Sequence, residues 1–253
     1  MGWVLDLDGV VWLGEVPLAG AAAAVAELRA RGEQVLFATN NSFPTLADQE
    51  AKLARAGIDA AGSVVTSALA AATLVEPGER VLVCGGPGVV EAVGSRGATV
   101  VATGPAEAVV VGFHTDFDYD GLRRAFRAVE AGARLVATNT DATYPTPEGP
   151  IPGGGAIVAA VAYATGAEPV VAGKPWSPMV DLVRARLGPE ATMVGDRAET
   201  DGAFARALGY RWALVLSGVT GPGDLPVEPA PDVVAVDLAA LVRREAPVDL
   251  GPT

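Results

Sequence analysis

With 253 residues, half of them apolar, the chain has material for one large or two modest domains with a buried core. A formal net charge of −12 argues against nucleic acid as a partner, and requires that any bound phosphate meet a metal cation, a Lys or Arg, or converging backbone amides. The single cysteine, Cys84, excludes an intramolecular disulfide and a Cys-rich metal site; without a basic leader or an apolar run suited to a bilayer, the expectation is a soluble cytoplasmic protein with no membrane partner.

Short apolar runs alternate with amphipathic stretches, which predicts an α/β fold with a mainly parallel sheet. The first half reads as strand 3–7, helix 19–31, strand 34–39, helix 45–56, strand 80–84, helix 87–95 and strand 108–113. The second half reads as helix 119–130, strand 134–138, helices 156–164 and 177–187, strand 191–194, helix 200–208 and strands 212–216 and 232–236. Gly32, Gly57, Gly132, Gly166, Gly188 and Gly209 each follow a predicted helix, where a left-handed closing residue is expected. Two Pro/Gly-rich stretches interrupt the pattern. Pro145 to Gly155 is either an ordered functional loop or a flexible connection, and Thr220 to Pro231 reads as a surface loop before the last strand.

Four groups of polar residues follow apolar strands. After Trp3-Val4-Leu5 comes Asp6-Leu7-Asp8-Gly9, with two carboxylates that can face one side of the strand end and a glycine that permits a sharp turn. Such close like charges need a cation or a shared proton, which suits a divalent metal with a nucleophile and a proton carrier; a simple turn is the alternative. Thr39-Asn40-Asn41-Ser42 offers a hydroxyl and amides to phosphate oxygens, or turn chemistry and a helix cap. Lys174, one of two lysines, lies in Gly173-Lys174-Pro175, where an ammonium neutralises phosphate charge or merely sits exposed in a turn. Finally, Asp196 ends a strand as a candidate metal ligand, and Asp201 could orient it from behind; blandly, Thr200 or Asp201 caps the following helix. In a parallel sheet all four groups gather beyond the carboxyl ends of the strands, where open α/β sheets bind ligands.

This ordered set resembles the haloacid dehalogenase-like superfamily. More narrowly it is similar to the class IIA phosphatases related to NagD, 4-nitrophenyl phosphatases and phosphoglycolate phosphatases. The resemblance spans nearly the whole chain and also includes Val65-Thr66-Ser67-Ala68 and Ala137-Thr138-Asn139-Thr140-Asp141. It implies a Rossmann-like parallel-sheet core, residues 1–70 and 173–253, carrying an inserted α/β cap of C2 type, residues 71–172. It further implies hydrolysis of small-molecule phosphate monoesters, such as sugar, glycerol, glycolate or nucleoside phosphates, through an aspartyl-phosphate.

In that scheme Asp6 attacks phosphorus, and Asp8 protonates the departing alcohol and then activates water. Mg²⁺ is held by Asp6, the backbone carbonyl of Asp8 and Asp196, with Asp201 in support. Thr39, Asn40 and Lys174 bind the phosphoryl group. Asn139 and Asp141 are candidate cap contacts to the substrate, with loop ordering as the alternative. Caps of this kind often mediate dimers, which raises a homodimer through the cap as an expectation. A dehalogenase, a phosphorylated receiver module or an idle binding protein on the same scaffold are the rival functions. Asp6 and Asp8 together favour phosphoryl chemistry, and a receiver is much shorter.

Three patterns are decoys. Asp116 to Gly121 imitates the start of a calcium loop, but Arg127 stands where the bidentate Glu is needed, and a helix N-terminus is expected instead. Gly85-Gly86-Pro87-Gly88 reads as a strand-to-helix turn, because Glu91 replaces the last glycine of a dinucleotide fingerprint. Cys84 reads as a small buried thiol rather than a nucleophile paired with His114, the only histidine.

Overall fold

The computed structural model describes residues 2–144, 146 and 148–244; Pro145 and Pro147, at the start of the predicted Pro/Gly loop, lie outside that set. The chain forms two compact units, one comprising Met1–Thr39, Glu50–Val65 and Val180–Thr253, the other Asn40–Gln49 and Thr66–Met179.

The first unit is built on a six-stranded sheet in the order Val233–Ala235, Arg211–Val215, Ala191–Gly195, Gly2–Leu5, Gln34–Thr39 and Val64–Thr66. Gly2–Leu5 is central and runs parallel to both neighbours, with Leu5 level with Val194 on one side and Phe37 on the other. Its residues are apolar on both faces because both are covered: Val4, Leu5, Phe37, Met193 and Leu214 are buried, as parallel sheets require. The chain winds outward from this strand in both directions. The carboxyl ends of three adjacent strands therefore meet at the reversal of strand order, which is where this topology opens a crevice.

The second unit holds a five-stranded sheet in the order Val170–Val171, Arg134–Ala137, Ala108–Val111, Arg80–Cys84 and Thr99–Val101, parallel throughout. Leu82, Val109, Val111, Leu135, Val158 and Val161 form part of its core. The α/β class and parallel sheets expected from the sequence are present. Helices Pro87–Ser95, Tyr119–Glu130 and Ser177–Leu187 and strands Gln34–Thr39 and Arg80–Cys84 match the expected bounds residue for residue.

Several elements went unpredicted because they are too short to show a period. These are strands Val64–Thr66 and Thr99–Val101, helices Ser67–Ala72 and Leu238–Arg243, and the paired two-residue strands Trp12–Leu13 with Val16–Pro17. In the described part of the Pro/Gly stretch, Ile151–Pro152 pairs antiparallel with Thr143–Tyr144, and the next helix starts at Gly154 rather than Ala156. The glycine run there has a packing cause. A Cβ on Gly155 would overlap the carbonyl of Thr140, and one on Gly153 that of Asp141. The helix expected over 200–208 instead opens with a π-helical turn, Ala198–Gly202, before α-helix Ala203–Leu208.

Candidate active site

Asp6 continues the central strand: its N–H donates to the Val194 carbonyl at 2.9 Å. Asp196 follows the neighbouring strand directly. Carboxylate oxygens of Asp6, Asp196 and Asp201 come within 4.8 Å of one another, and all three residues are buried, at 9%, 3% and 1% exposure. Three carboxylates so placed repel one another, and desolvation removes the water that would screen them. The donor set is all oxygen and carries a concentrated negative charge, the chemistry of a hard divalent cation. The cluster therefore fits the ion expected from the sequence.

The three carboxylates are set differently. Asp201 Oδ2 accepts from the backbone N–H groups of Asp196 and Arg197, both at 3.2 Å. The π-helical turn makes this possible. The Arg197 carbonyl accepts from the N–H groups of both Asp201 and Gly202, and the wider turn swings the Asp201 side chain back onto the end of the strand. Neither Thr200 nor Asp201 is thus a simple helix cap. Asp196 is fixed from the other side: Val219 N–H donates to its Oδ2 at 2.6 Å and Thr220 N–H to its carbonyl at 3.2 Å.

The loop that supplies Val219 was missed in the sequence. Ser217-Gly218-Val219-Thr220 follows strand Arg211–Val215, and small polar residues after an apolar strand were the signal that marked the other groups. Gly218 is compelled by contact, since a Cβ there would overlap the Asp196 carboxylate. Gly9 sits at φ 78° against the same carboxylate, and its carbonyl accepts from the Ser217 hydroxyl at 2.6 Å. Asp8, between Leu7 and Gly9, accepts at Oδ1 from the Trp12 indole at 3.1 Å. Thr39 is buried at the end of its strand.

Within the second unit, Asn40 is a hub. Its Oδ1 accepts from the Lys174 N–H at 2.8 Å, and its Nδ2 donates to the Lys174 carbonyl and to both oxygens of Asp141, each at 3.2 Å. Its own carbonyl accepts from the Ser67 hydroxyl at 2.6 Å and Asn139 Nδ2 at 2.7 Å. Lys174 is 4% exposed, which rules out the bland expectation of an exposed turn lysine. Asn139 also orders its loop, since its Oδ1 accepts from the Asp141 N–H at 3.1 Å. Turn and cap chemistry at 39–45 is present as well: Asn41 Oδ1 accepts from Phe43 N–H, and Thr45 caps the helix by accepting from Asp48 N–H. Thus the structure brings Asp6, Asp196 and Asp201 together, and separately Asn40, Lys174, Asn139 and Asp141.

The decoys resolve as expected. Asp118 caps helix Tyr119–Glu130 by accepting from Gly121 N–H at 2.7 Å. Gly86 and Pro87 begin helix Pro87–Ser95. Cys84 is buried, and burial pushes its thiol up to about 11. His114 turns Nδ1 toward the Gly112 carbonyl at 3.0 Å and packs edge-on against Phe117.

Comparison with known proteins shows the family. Residues 3–99 match the family model described as haloacid dehalogenase-like hydrolase, and residues 171–241 match a second model of hydrolases of the same type. The chain is 39% identical over 250 residues to the D-glycerol 3-phosphate phosphatase of Mycobacterium tuberculosis, covering 94% of this chain and 70% of that protein. Among solved structures, a glycerol phosphate phosphatase from Mycobacterium tuberculosis in complex with magnesium is similar at TM-score 0.87 and 37% identity, covering 95% of this chain and 75% of that one. A p-nitrophenyl phosphatase from Archaeoglobus fulgidus is similar at TM-score 0.89 and 30% identity, covering 96% and 98%.

Proposed function

The chain belongs to the haloacid dehalogenase-like hydrolase family, and we propose that it is a Mg²⁺-dependent phosphatase that hydrolyses small phosphate monoesters through an aspartyl-phosphate on Asp6. The observation that carries this reading is the buried convergence of Asp6, Asp196 and Asp201, with a second carboxylate, Asp8, two residues beyond the first. Asp6, the backbone carbonyl of Asp8 and Asp196 would hold the ion, and Asp201 would brace them through the backbone of Asp196 and Arg197. When bound, Mg²⁺ supplies neutralisation of charge on the phosphoryl oxygens.

The residues divide the chemistry as follows. An Asp6 oxygen attacks phosphorus while the bond from phosphorus to the alcohol oxygen breaks, and Asp8 gives that oxygen its proton. Water then attacks phosphorus, its proton passes to Asp8, and the bond between phosphorus and Asp6 breaks to release phosphate. Thr39, Asn40 and Lys174 hold the phosphoryl group, and Lys174 answers the charge problem that a chain of net charge −12 poses. Residues 1–70 and 173–253 form the catalytic core in this reading and 71–172 the cap, in which Asn139 and Asp141 contact the alcohol half.

Relatives named for glycerol 3-phosphate, phosphoglycolate and sugar phosphates support a small-molecule ester as substrate. Among the described residues no helix is long and apolar enough to cross a membrane. A homodimer through the cap rests on the resemblance alone.

The test is turnover of a panel of phosphate monoesters with and without Mg²⁺. Asp6→Asn, nearly identical in shape, is expected to abolish turnover while leaving the fold intact by circular dichroism. Substantial activity in a metal-replete, folded Asp6→Asn protein would overturn covalent catalysis. Metal-independent loss of halide from a haloacid, with no phosphatase activity, would turn the assignment to a dehalogenase, and inactivity on both to a binding protein.

A further inference from the structure

Directly after Asp8 the chain folds back on itself. The Leu7 carbonyl accepts from the N–H groups of Val10, Val11 and Trp12, at 3.3, 2.8 and 3.2 Å, and Gly9 N–H donates to the Trp12 carbonyl at 2.8 Å. The turn returns the indole of Trp12, 2% exposed, to the side of Asp8, where Nε1 donates to Oδ1 at 3.1 Å. Over that ring stands Lys52, its Nζ 4.4 Å from the centroid. The same ammonium donates to the Gly14 carbonyl at 2.7 Å and to Glu15 Oε1 at 3.0 Å. Gly14 and Glu15 join the paired strands Trp12–Leu13 and Val16–Pro17, so one cation both closes the hairpin and lies on the indole. Lys52 is the second of only two lysines in the chain, beside Lys174.

An indole nitrogen only donates, so Nε1 holds Oδ1 of Asp8 as its acceptor and sets the plane of the carboxyl group. A proton carrier works only from a held position, and this bond is what holds the carboxyl group. We propose that Trp12 is a positioning residue that fixes the orientation of the Asp8 carboxyl group, and that Lys52 holds Trp12 in that place. The proposal rests on Asp8 acting as the proton carrier.

Single-turnover release of the alcohol is measured for glycerol 3-phosphate, whose alkoxide departs only with a proton, and for 4-nitrophenyl phosphate, whose phenolate departs without one. Trp12→Phe keeps the ring and removes the donor. It is expected to slow the alkyl ester about tenfold and the nitrophenyl ester less than twofold, with KM unchanged. Lys52→Met should show the same preference at about threefold, and Lys52→Arg should restore the rate. Equal losses on both esters in Trp12→Phe would reduce the contact to packing and overturn the proposal, as would no loss on either. Should Trp12→Phe fail to fold, Lys52→Met decides by the same two outcomes. The underlying reading fails in a different way: Asp8→Asn would then slow both esters by the same factor in the first turnover, and the positioning role would fall with it.

Discussion

Asn40 holds both backbone polar groups of Lys174, accepting from its N–H at 2.8 Å and donating to its carbonyl at 3.2 Å. Such a pair works like one rung of a β-ladder, made by a side chain instead of a strand, and it fixes the peptide from which the lysine springs. In Asn40→Ala both groups of the buried Lys174 lose these partners, at about 1–3 kcal/mol for each group left unsatisfied. Asn40→Asp is a sharper test. It keeps the acceptor but replaces the donor with an oxygen that faces the Lys174 carbonyl and the Asp141 carboxylate. It should lower the urea midpoint at least as far as the alanine variant, and both should reduce kcat/KM by about 10²-fold. An Asn40→Asp protein as stable and active as the parent would sink the idea that this amide sets Lys174.

Gly218 makes a second prediction. The Cβ of Gly218→Ala would occupy the volume of the Asp196 carboxylate, which must then leave its bond to Val219 N–H. Displacing a charge-bearing group by even 1 Å is worth about 10²-fold in rate. Activity should fall by at least that factor, with Mg²⁺ affinity falling in parallel. A titration showing unchanged metal affinity in Gly218→Ala would contradict the placement of Asp196 as a ligand.

How much of this was legible beforehand depends on the range of each interaction. The carboxylates Asp6, Asp8 and Asp196 follow apolar runs, so local patterning placed them at strand ends, and parallel topology carried them to one side of a sheet; Asn40 was legible in the same way, directly after strand Gln34–Thr39. The bonds from the Asp196 and Arg197 N–H groups to Asp201 were not legible. A π-helical turn has no periodic signature in five residues, and the capping alternative rests on the same residue types. The partners of Asp196 in the 217–220 loop lie more than twenty residues downstream, and the contact between Lys52 and Trp12 spans forty positions; neither leaves a local trace. The glycines at 153–155 were legible as a loop, but their cause, the passage of residues 140 and 141 against them, is tertiary.

Cys84 offers a prediction about reactivity. Burial raises its thiol to about 11, and since the thiolate is the reactive form, alkylation requires a pH approaching that value. At pH 8 the thiolate is roughly one part in a thousand, against about a quarter for an ordinary cysteine near 8.5. Iodoacetamide at pH 8 should leave the native protein unmodified and fully active, while the same reagent in 6 M guanidinium labels one site, read by mass spectrometry. Rapid native labelling accompanied by inactivation would revive a nucleophilic role for this thiol.

The last prediction uses the mutual repulsion of Asp6, Asp196 and Asp201. Without a metal ion, three buried carboxylates with oxygens within 4.8 Å of one another repel, so removing one charge should relieve that repulsion. Asp6→Asn is therefore expected to raise the Tm of the metal-free protein even though it destroys activity. Mg²⁺ should raise the Tm of the parent protein, by an amount equivalent to about 2.7 kcal/mol at a hundredfold excess over Kd, and should do less for Asp6→Asn. Ca²⁺ is expected to raise the Tm of the parent as well, because it accepts more oxygens at looser geometry. It should fail to support turnover, since engagement of both Asp6 oxygens would blunt the nucleophile. Asp201→Ala separates bracing from direct ligation: loss of an outer partner typically weakens metal binding 10–100-fold, so the Mg²⁺-induced shift should persist but need a correspondingly higher concentration. A verified metal-free protein that kept full phosphatase activity in EDTA, with a Tm indifferent to Mg²⁺ and to Asp6→Asn, would show that these carboxylates hold no ion.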